Sequence, residues 1–222
     1  MDNILLFSKD EDSHAKLLTE FYNLVKSQGI MLSEKKMVIW QSSIDFLGVN
    51  ISDGKYTLQP HIASSLGEFP EKLTNTKQIQ QFLGIVNYMS DFSPKVSKYR
   101  NCLAQLLKKS PPEWNFTHTE AIQQLKMLSE KLPPLQIPGP DKRILQTDAS
   151  DEYWATAFFE EIDGKRNICG YKSSAFKPSE LHYHSTFKEI LAVKHGIEKF
   201  QFHLLIHNFL VEMDMSSFPT ML

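Results

Sequence analysis

The chain has 222 residues, with 24 lysines and arginines against 26 aspartates and glutamates, a formal net charge of -2 and 41% hydrophobic residues. This composition predicts a soluble globular protein of one or two domains, and the length excludes three complete domains. No stretch approaches the ~18 to 20 consecutive apolar residues of a membrane helix, and Asp2 follows Met1 where a signal peptide would have a basic region and an apolar run. We therefore expect an intracellular protein without a membrane segment.

The sequence contains two cysteines, Cys102 and Cys169. They lie far apart and lack the spacing of a zinc ligand pair, and their number argues against a disulfide scaffold. We therefore expect the chain in a reducing compartment.

The first part of the chain is predicted to contain four short strands. Each is a run rich in apolar residues and bounded by charged or turn-forming residues. The strands are predicted at residues 4–8, 37–40, 43–51 and 55–58. Ser52, Asp53 and Gly54 separate the last two strands and predict a hairpin turn.

Four helices are predicted in the same part of the chain, from apolar residues at helical spacing. The first runs from Ser13, a candidate N-cap, to the position before Gly29, a candidate C-cap. The second begins at Thr76, another candidate N-cap. The third covers residues 96–109 and ends before two prolines, and the fourth follows Thr117.

Residues 133–140 contain four prolines and one glycine, which predicts a domain boundary. The part that follows differs in character, because strands now precede a helix. Strands are predicted at residues 143–147, 154–162, 167–173 and 209–213, with a long helix at residues 185–205 before the last of them. The order β-β-β-α-β predicts a mixed sheet with the helix packed across one face.

Three acidic residues of this last part differ from ordinary surface charges. Asp148 and Asp214 each end an apolar strand, and Glu189 lies at the margin of the apolar arc of the long helix, so it should point toward the sheet. If the helix crosses the ends of two neighbouring strands, the carboxylates converge, which is unfavourable unless a cation binds them. Oxygen ligands favour Mg²⁺ or Mn²⁺, which support phosphodiester hydrolysis. By spacing alone, acidic residues at such positions are more often caps and solvated charges.

A basic run lies between Phe92 and Pro112, where no acidic residue occurs. Its five members are Lys95, Lys98, Arg100, Lys108 and Lys109. Such a run can attract nucleic-acid phosphates through counterion release, yet five charges are also an ordinary solvated helix face.

Short motifs along the chain resemble, in order, the reverse transcriptase and ribonuclease H region of retroelement polyproteins. The likeness to the end of a reverse transcriptase palm rests on residues 2–8 (DNILLFS) and 46–48 (FLG). The likeness to the thumb and connection of gypsy-type retrotransposons and plant pararetroviruses rests on residues 82–88 (FLGIVNY). The likeness to their ribonuclease H motifs rests on residues 147–150 (TDAS), 188–193 (KEILAV) and 211–214 (VEMD). The last part resembles the caulimovirus-like pararetroviruses most closely.

This resemblance implies an α+β protein in three parts. They are the C-terminal end of a reverse transcriptase palm at residues 1–58, a helical thumb and connection at residues 59–138, and a ribonuclease H-like domain at residues 139–222. The last part would hold a mixed sheet with a packed helix. The likeness covers nearly the whole chain and implies a polyprotein fragment truncated at both ends, so further domains of a polyprotein are expected partners.

The polymerase motif of the family maps onto the start of the chain. The last three positions of its Mg²⁺-binding Tyr-x-Asp-Asp turn correspond to Met1, Asp2 and Asn3. Asp2 retains one aspartate, whereas Asn3 is a neutral amide and a poorer Mg²⁺ ligand. The fingers and an earlier palm aspartate of the family would precede residue 1, so we expect no RNA-directed DNA polymerase activity.

In the last part, the resemblance maps three metal-binding carboxylates onto Asp148, Glu189 and Asp214. It implies hydrolysis of the RNA strand of an RNA/DNA hybrid with Mg²⁺, for which Mn²⁺ is a possible substitute. The expected partner is such a hybrid or a template-primer duplex, contacted by the basic run. The sequence departs from the family at Ala155, where a glycine is usual, and the fourth acidic residue of the family would lie beyond Leu222. The alternative is a catalytically inactive, nucleic-acid-binding remnant of an endogenous viral element.

Overall fold

The computed structural model describes residues 4–213, which form two four-stranded sheets and six α-helices. The helices are α1 (Glu11–Ser27), α2 (Pro60–Gly67), α3 (Thr76–Asn87), α4 (Val96–Ala104), α5 (Phe116–Ser129) and α6 (Ser185–Leu204). The strands are β1 (Ser43–Phe46), β2 (Val49–Ser52), β3 (Lys55–Leu58), β4 (Leu135–Gln136), β5 (Lys142–Ala149), β6 (Tyr153–Ile162), β7 (Lys165–Ala175) and β8 (Phe209–Met213). The α+β class expected from the sequence is confirmed. Of the helices in this range, none is both long and apolar enough to cross a membrane.

The first sheet is antiparallel, in the order β1-β2-β3-β4. The hairpin turn predicted at Asp53 and Gly54 is present, and both residues have the positive φ that such a two-residue turn requires. The single strand predicted at residues 43–51 is instead two strands, β1 and β2. The reason is that Leu47 and Gly48 also adopt positive φ and turn the chain between them.

Two predicted strands, at residues 4–8 and 37–40, are wrong. Phe7 is 81% exposed and Val38 is 61% exposed. A strand needs a neighbour to bond its backbone N–H and C=O groups, and within residues 4–213 no strand pairs with either segment. Helix α1 between them is confirmed, but its N-cap is Asp10, whose carboxylate accepts a hydrogen bond from the backbone N–H of Ser13 at 2.8 Å.

Helices α2 to α5 pack around one apolar core. Each helix contributes at least one fully buried side chain, and examples are Leu66, Phe82, Val86, Leu103 and Ile122. The predicted helices α3 and α5 are confirmed. The N-cap of α3 is Asn75 in place of the expected Thr76, and the N-cap of α5 is Asn115. Helix α4 ends at Ala104, earlier than predicted, and a single 3₁₀ turn follows it. Helix α2 was missed, because Pro60 is a favourable first residue of a helix as well as a helix breaker.

The second sheet has the order β7-β6-β5-β8, with α6 packed across one face. This is the mixed β-β-β-α-β arrangement predicted from the sequence. Strands β5 and β8 run parallel, with Thr147 opposite Met213, and the other neighbours are antiparallel. Parallel neighbours need a crossover connection, and α6 lies on that connection. Leu145 and Phe158 of the sheet pack against Phe200 of the helix.

Several hydrogen bonds join the first part of the chain to β7, and three of them have the same length. They run from Tyr56 Oη to Cys169 O, from Tyr171 N to Asp91 O, and from Ser97 Oγ to Ser173 O, each at 2.8 Å. Burial raises the pKa of Tyr56 far above its usual range and raises the pKa of Cys169 to about 12. Strand β4, inside the proline-rich segment, also pairs with β3. The segment predicted as a boundary is therefore part of the packed structure.

Gly196 brings α6 close to the sheet. A Cβ atom on Gly196 would lie 2.9 Å from Thr156 Oγ1 and 3.2 Å from Leu145 Cδ2. Overpacking of this kind costs ~1 to 3 kcal/mol, and the higher helix propensity of alanine offsets up to ~1 kcal/mol of that cost. We therefore expect Gly196→Ala to lower the free energy of unfolding, measured by urea denaturation.

The control is Gly84→Ala on the exposed side of α3, where a Cβ atom would meet nothing within 4 Å. Only the helix propensity changes there, so this variant should gain up to ~1 kcal/mol of stability. An equal gain at both glycines would contradict the close packing of α6.

His118 makes stability depend on pH. The residue is 3% exposed, and burial lowers its pKa below 6.5. Its Nδ1 accepts the backbone N–H of Asn115 at 3.1 Å, a bond that protonation of Nδ1 would remove. Below pH 6.5 the unfolded state therefore binds more protons than the folded state, so stability decreases as the pH falls through this range.

We expect His118→Gln to reduce this slope, because glutamine can accept the same capping bond without titrating. Urea denaturation at a series of pH values measures the slope. Part of the slope should remain, since burial also lowers the pKa of His203. An identical pH profile in the variant would show that His118 does not contribute.

Candidate functional site

Asp148 lies near the carboxyl end of β5, the strand between β6 and β8. The next residue, Ala149, packs on the cluster that contains Ala192 of α6. Because side chains alternate along a strand, Asp148 faces the other side of the sheet. It is exposed there and lines an open groove of about 700 Å³. Further residues that line this groove are Pro94, Gln146, Ala155, Ala157, Tyr171 and Glu212.

Glu212 is a second carboxylate of this groove, and sequence reasoning did not select it. The guanidinium of Arg166 binds it in a bidentate arrangement, with Nη1 and Nη2 at 2.8 and 2.7 Å from the two carboxylate oxygens. These hydrogen bonds raise the pKa of Arg166. Lys142 and Glu161 continue the charged network, with Nζ and Oε1 3.1 Å apart. The pairing with Arg166 could be found only from the fold, since β7 and β8 are distant in sequence.

Glu189 lies in the first half of α6, on the side that faces the sheet. Seven residues separate it from Gly196, which is about two helical turns, so the two positions share one face of the helix. The side chain of Glu189 is half-buried, and its Oε2 atom is buried. The helix therefore directs this carboxylate inward rather than to solvent.

Lys188 connects the start of α6 to the end of β5. This lysine is 6% exposed, and its Nζ donates a hydrogen bond to the backbone O of Asp151 at 2.7 Å. Asp151 follows Asp148 by three residues, and Lys188 directly precedes Glu189. The structure thus brings the elements that carry Asp148 and Glu189 to the same end of the sheet.

The third expected ligand, Asp214, lies outside the described residues, as do the polymerase-motif residues Asp2 and Asn3. Strand β8 is described up to Met213, which pairs with Thr147, the neighbour of Asp148. Within residues 4–213, no group of three or more histidines, cysteines, aspartates or glutamates could hold a metal ion. Of the three expected ligands, the structure thus describes Asp148 and Glu189, whose carboxylate oxygens are the atoms that Mg²⁺ prefers.

The structure divides the predicted basic run between two surfaces. Lys95, Lys98, Lys108 and Lys109 are exposed. Arg100 follows Lys98 by two residues, about 200° around α4, so it faces a different direction. Arg100 instead lines a cavity together with Lys172 and Lys199. Pro94 lines the groove of Asp148, so Lys95, the next residue, lies beside that groove.

Residues 114–211, from just before α5 into β8, match a protein-family model described as the RNase H-like domain found in reverse transcriptase. Over these residues the chain is similar to this family. The match includes α5 and the proline-rich segment, and it includes Asp148 and Glu189.

Two viral polyproteins are relatives of the whole chain. The genome polyprotein of petunia vein clearing virus (isolate Shepherd) is 53% identical over 222 residues, which are 100% of this chain and 10% of the relative. The enzymatic polyprotein of cauliflower mosaic virus (strain D/H) is 37% identical over 226 residues, covering 99% of this chain and 34% of the relative. The chain therefore spans between a tenth and about a third of the length of these polyproteins. Its homologues are polyproteins of plant pararetroviruses.

Solved structures share the fold. The foamy viral protease-reverse transcriptase in complex with RNA/DNA hybrid has a TM-score of 0.81 and 19% identity, over 97% of this chain and 30% of that chain. The same type of protein in complex with dsDNA has a TM-score of 0.77 and 19% identity, over 97% of this chain and 46% of that chain. At this identity the likeness concerns the fold.

The link between α6 and β5 can be tested at Lys188. Lys188→Met keeps the length of the side chain but removes the charge-assisted hydrogen bond to Asp151 O. We expect the free energy of unfolding to fall by ~1.5 to 3 kcal/mol, the range for hydrogen bonds to charged groups. Urea denaturation measures this loss.

Lys194→Met is the matched control on the same helix. Its side chain is 62% exposed and pairs with Glu198 at 3.7 Å, a surface ion pair of small energetic effect. This variant should change the stability by less than ~0.5 kcal/mol. Equal effects of the two substitutions would show that the buried bond of Lys188 does not matter.

Proposed function

We propose that the ribonuclease H-like domain hydrolyses the RNA strand of an RNA/DNA hybrid, with Mg²⁺ bound by Asp148, Glu189 and Asp214. The main support is that Asp148 and Glu189 lie on elements that meet at one end of the sheet, joined through Lys188. A foamy viral protein of the same fold was solved with an RNA/DNA hybrid, which supports this substrate class. Mn²⁺ is the expected substitute for Mg²⁺.

Asp148 and Glu189, at this end of the second sheet, have different roles in the proposed reaction. Bound divalent cations can activate a water molecule and stabilise the leaving oxygen in phosphodiester hydrolysis. Asp148 is exposed in an open groove, so a nucleic-acid backbone can approach it. Glu189 is half-buried, and packing of α6 limits the motion of its side chain. The two carboxylates thus lie on separate elements that Lys188 joins at one end of the sheet.

Arg166 makes the groove more suitable for a phosphate. Asp148 and Glu212 would together repel a phosphodiester, which is itself negatively charged. The bidentate ion pair with Arg166 neutralises the charge of Glu212, and both of its carboxylate oxygens already accept hydrogen bonds from the guanidinium. Asp148 then remains as the groove carboxylate available to a cation.

Exposed lysines extend the proposed substrate surface beyond the groove. Lys95 lies beside the groove, and Lys98, Lys108 and Lys109 are exposed further along the same segment. We assign them to phosphate contacts, which position a duplex without reading its bases. Recognition of the hybrid would then depend on backbone shape and 2′-hydroxyl contacts. Binding should weaken as salt concentration rises, because these contacts release counterions.

We further assign residues 1–58 to the end of a reverse transcriptase palm, residues 59–138 to a thumb and connection, and residues 139–222 to the ribonuclease H-like domain. The support is the similarity of the whole chain to pararetrovirus polyproteins and of its fold to foamy viral protease-reverse transcriptases. With Asn3 at the position of a polymerase aspartate, we propose that the chain does not synthesise DNA.

Asp148→Asn tests the proposed hydrolysis. The substitution keeps the size of the side chain but removes the charge that would bind Mg²⁺. We expect cleavage of a labelled RNA/DNA hybrid to fall by more than ~100-fold, which exceeds the ~10- to 100-fold loss typical of residues that only support a ligand. Glu189→Gln should have a similar effect.

Asp163→Asn is the matched control, since this aspartate lies in the exposed turn between β6 and β7 and asparagine tolerates its positive φ. It should cleave like the original chain. Unchanged cleavage by Asp148→Asn would rule out the proposed site. Salt-dependent hybrid binding by a folded chain that cleaves nothing would identify the second candidate function, a binding remnant without activity.

A further inference from the structure

A second cavity, of about 550 Å³, lies where the first part of the chain meets the ribonuclease H-like domain. Its walls come from the turn before β2, from β2 and β3, from the end of α3 and the segment after it, and from α4, β6, β7 and α6. Lys172 lines this cavity, whereas its neighbour Tyr171 lines the groove of Asp148. No residue that lines the cavity also lines the groove. The two are separate candidate sites.

The cavity has an excess of positive charge. Three cations line it, each from a different element: Arg100 of α4, Lys172 of β7 and Lys199 of α6. Among the described residues that line it, Asp91 is the only carboxylate, and it pairs with Lys172 at 2.5 Å. Three cations against one carboxylate leave a formal excess of two positive charges, carried by Arg100 and Lys199.

Arg100 has a donor that the fold does not satisfy. Its Nε atom is buried and has no hydrogen-bond partner among residues 4–213. A buried donor without a partner costs ~1 to 3 kcal/mol, more for a charged group. A negatively charged acceptor in the cavity would remove this cost, and guanidinium groups bind phosphate oxygens well.

Aromatic residues complete the lining. Tyr88 is 48% exposed at the cavity, and Trp154 forms part of a more buried wall. An exposed aromatic ring beside cations suits a ligand that joins a phosphate to a planar base. The volume of the cavity lies within the ~300 to 1,000 Å³ of typical small-molecule sites.

We propose that this junction cavity binds the phosphate of a nucleotide, either free or within a nucleic-acid strand, with Arg100 and Lys199 as its anion-binding residues. Lys172 forms an ion pair with Asp91, so we assign it to positioning of the cavity wall rather than to binding of the phosphate. The site draws its residues from both parts of the chain, so an occupied cavity would also hold the two parts together. The proposal does not require hydrolysis at Asp148.

Calorimetric titration of the full chain tests the proposal with three probes: inorganic phosphate, adenosine 5′-monophosphate and a short RNA/DNA hybrid. Asp148→Asn serves as background for the hybrid, so that cleavage does not interfere and a failure of the proposed hydrolysis leaves the test valid. The variants are Arg100→Met and Lys199→Met, with Lys194→Met on α6 as control, because Lys194 does not line the cavity. Lys199 is exposed, so its substitution should leave the fold intact if Arg100→Met does not fold.

We expect Arg100→Met and Lys199→Met each to weaken binding about tenfold or more, as loss of a charge-assisted hydrogen bond does, while Lys194→Met changes nothing. If the mononucleotide binds and shows this pattern, the ligand is a free nucleotide. The ligand is a nucleic-acid strand if only the hybrid shows this pattern of weakened binding. Each substitution should then lower the slope of log affinity against log salt concentration by the equivalent of about one phosphate contact. Binding that is absent for all three probes, or equally affected by Lys194→Met, would overturn the proposal.

Discussion

The close contact between α6 and the second sheet decides where the candidate site residues lie. Gly196 permits this contact, because any larger residue would meet Thr156 and Leu145. With the helix held there, Glu189 points inward two turns away, and Lys188 reaches the backbone of Asp151. A helix displaced from the sheet would separate Glu189 from the end of β5. The position of Glu189 relative to the end of β5 therefore depends on packing about two helical turns away from it.

Charge is distributed differently in the groove of Asp148 and in the junction cavity. On the face away from α6, Arg166 neutralises Glu212 across the sheet, so that Asp148 lies in a groove of moderate charge. In the junction cavity, which contains Arg100, cations exceed carboxylates. One short segment of β7 lines both, because Tyr171 lines the groove and Lys172 lines the cavity. A nucleic acid could thus meet the chain at two separate places, one suited to a cation and one suited directly to phosphate.

Much of the ribonuclease H-like fold could be predicted because its elements carry complete local signals. The helix 185–205 and the strand 209–213 were predicted within one residue, since their apolar patterns are long and their ends are clear. Residues 4–8 and 37–40 were assigned wrongly, because an apolar run looks like a strand whether or not another strand is available to pair with it. Helix α2 was missed, because Pro60 signals either the end of a structure or the start of a helix.

The sequence by itself determined the α+β class, the order of the elements in the last part and the identity of Asp148 and Glu189 as candidate ligands, because these depend on local pattern and motif. Only the tertiary structure decided that Arg100 faces away from Lys98 into a cavity with Lys172 and Lys199, and that Arg166 binds Glu212. These groups are brought together by strand pairing and helix packing between distant segments. Such contacts leave no periodic signal in the sequence, since the burial that selects them exists only once the chain has folded.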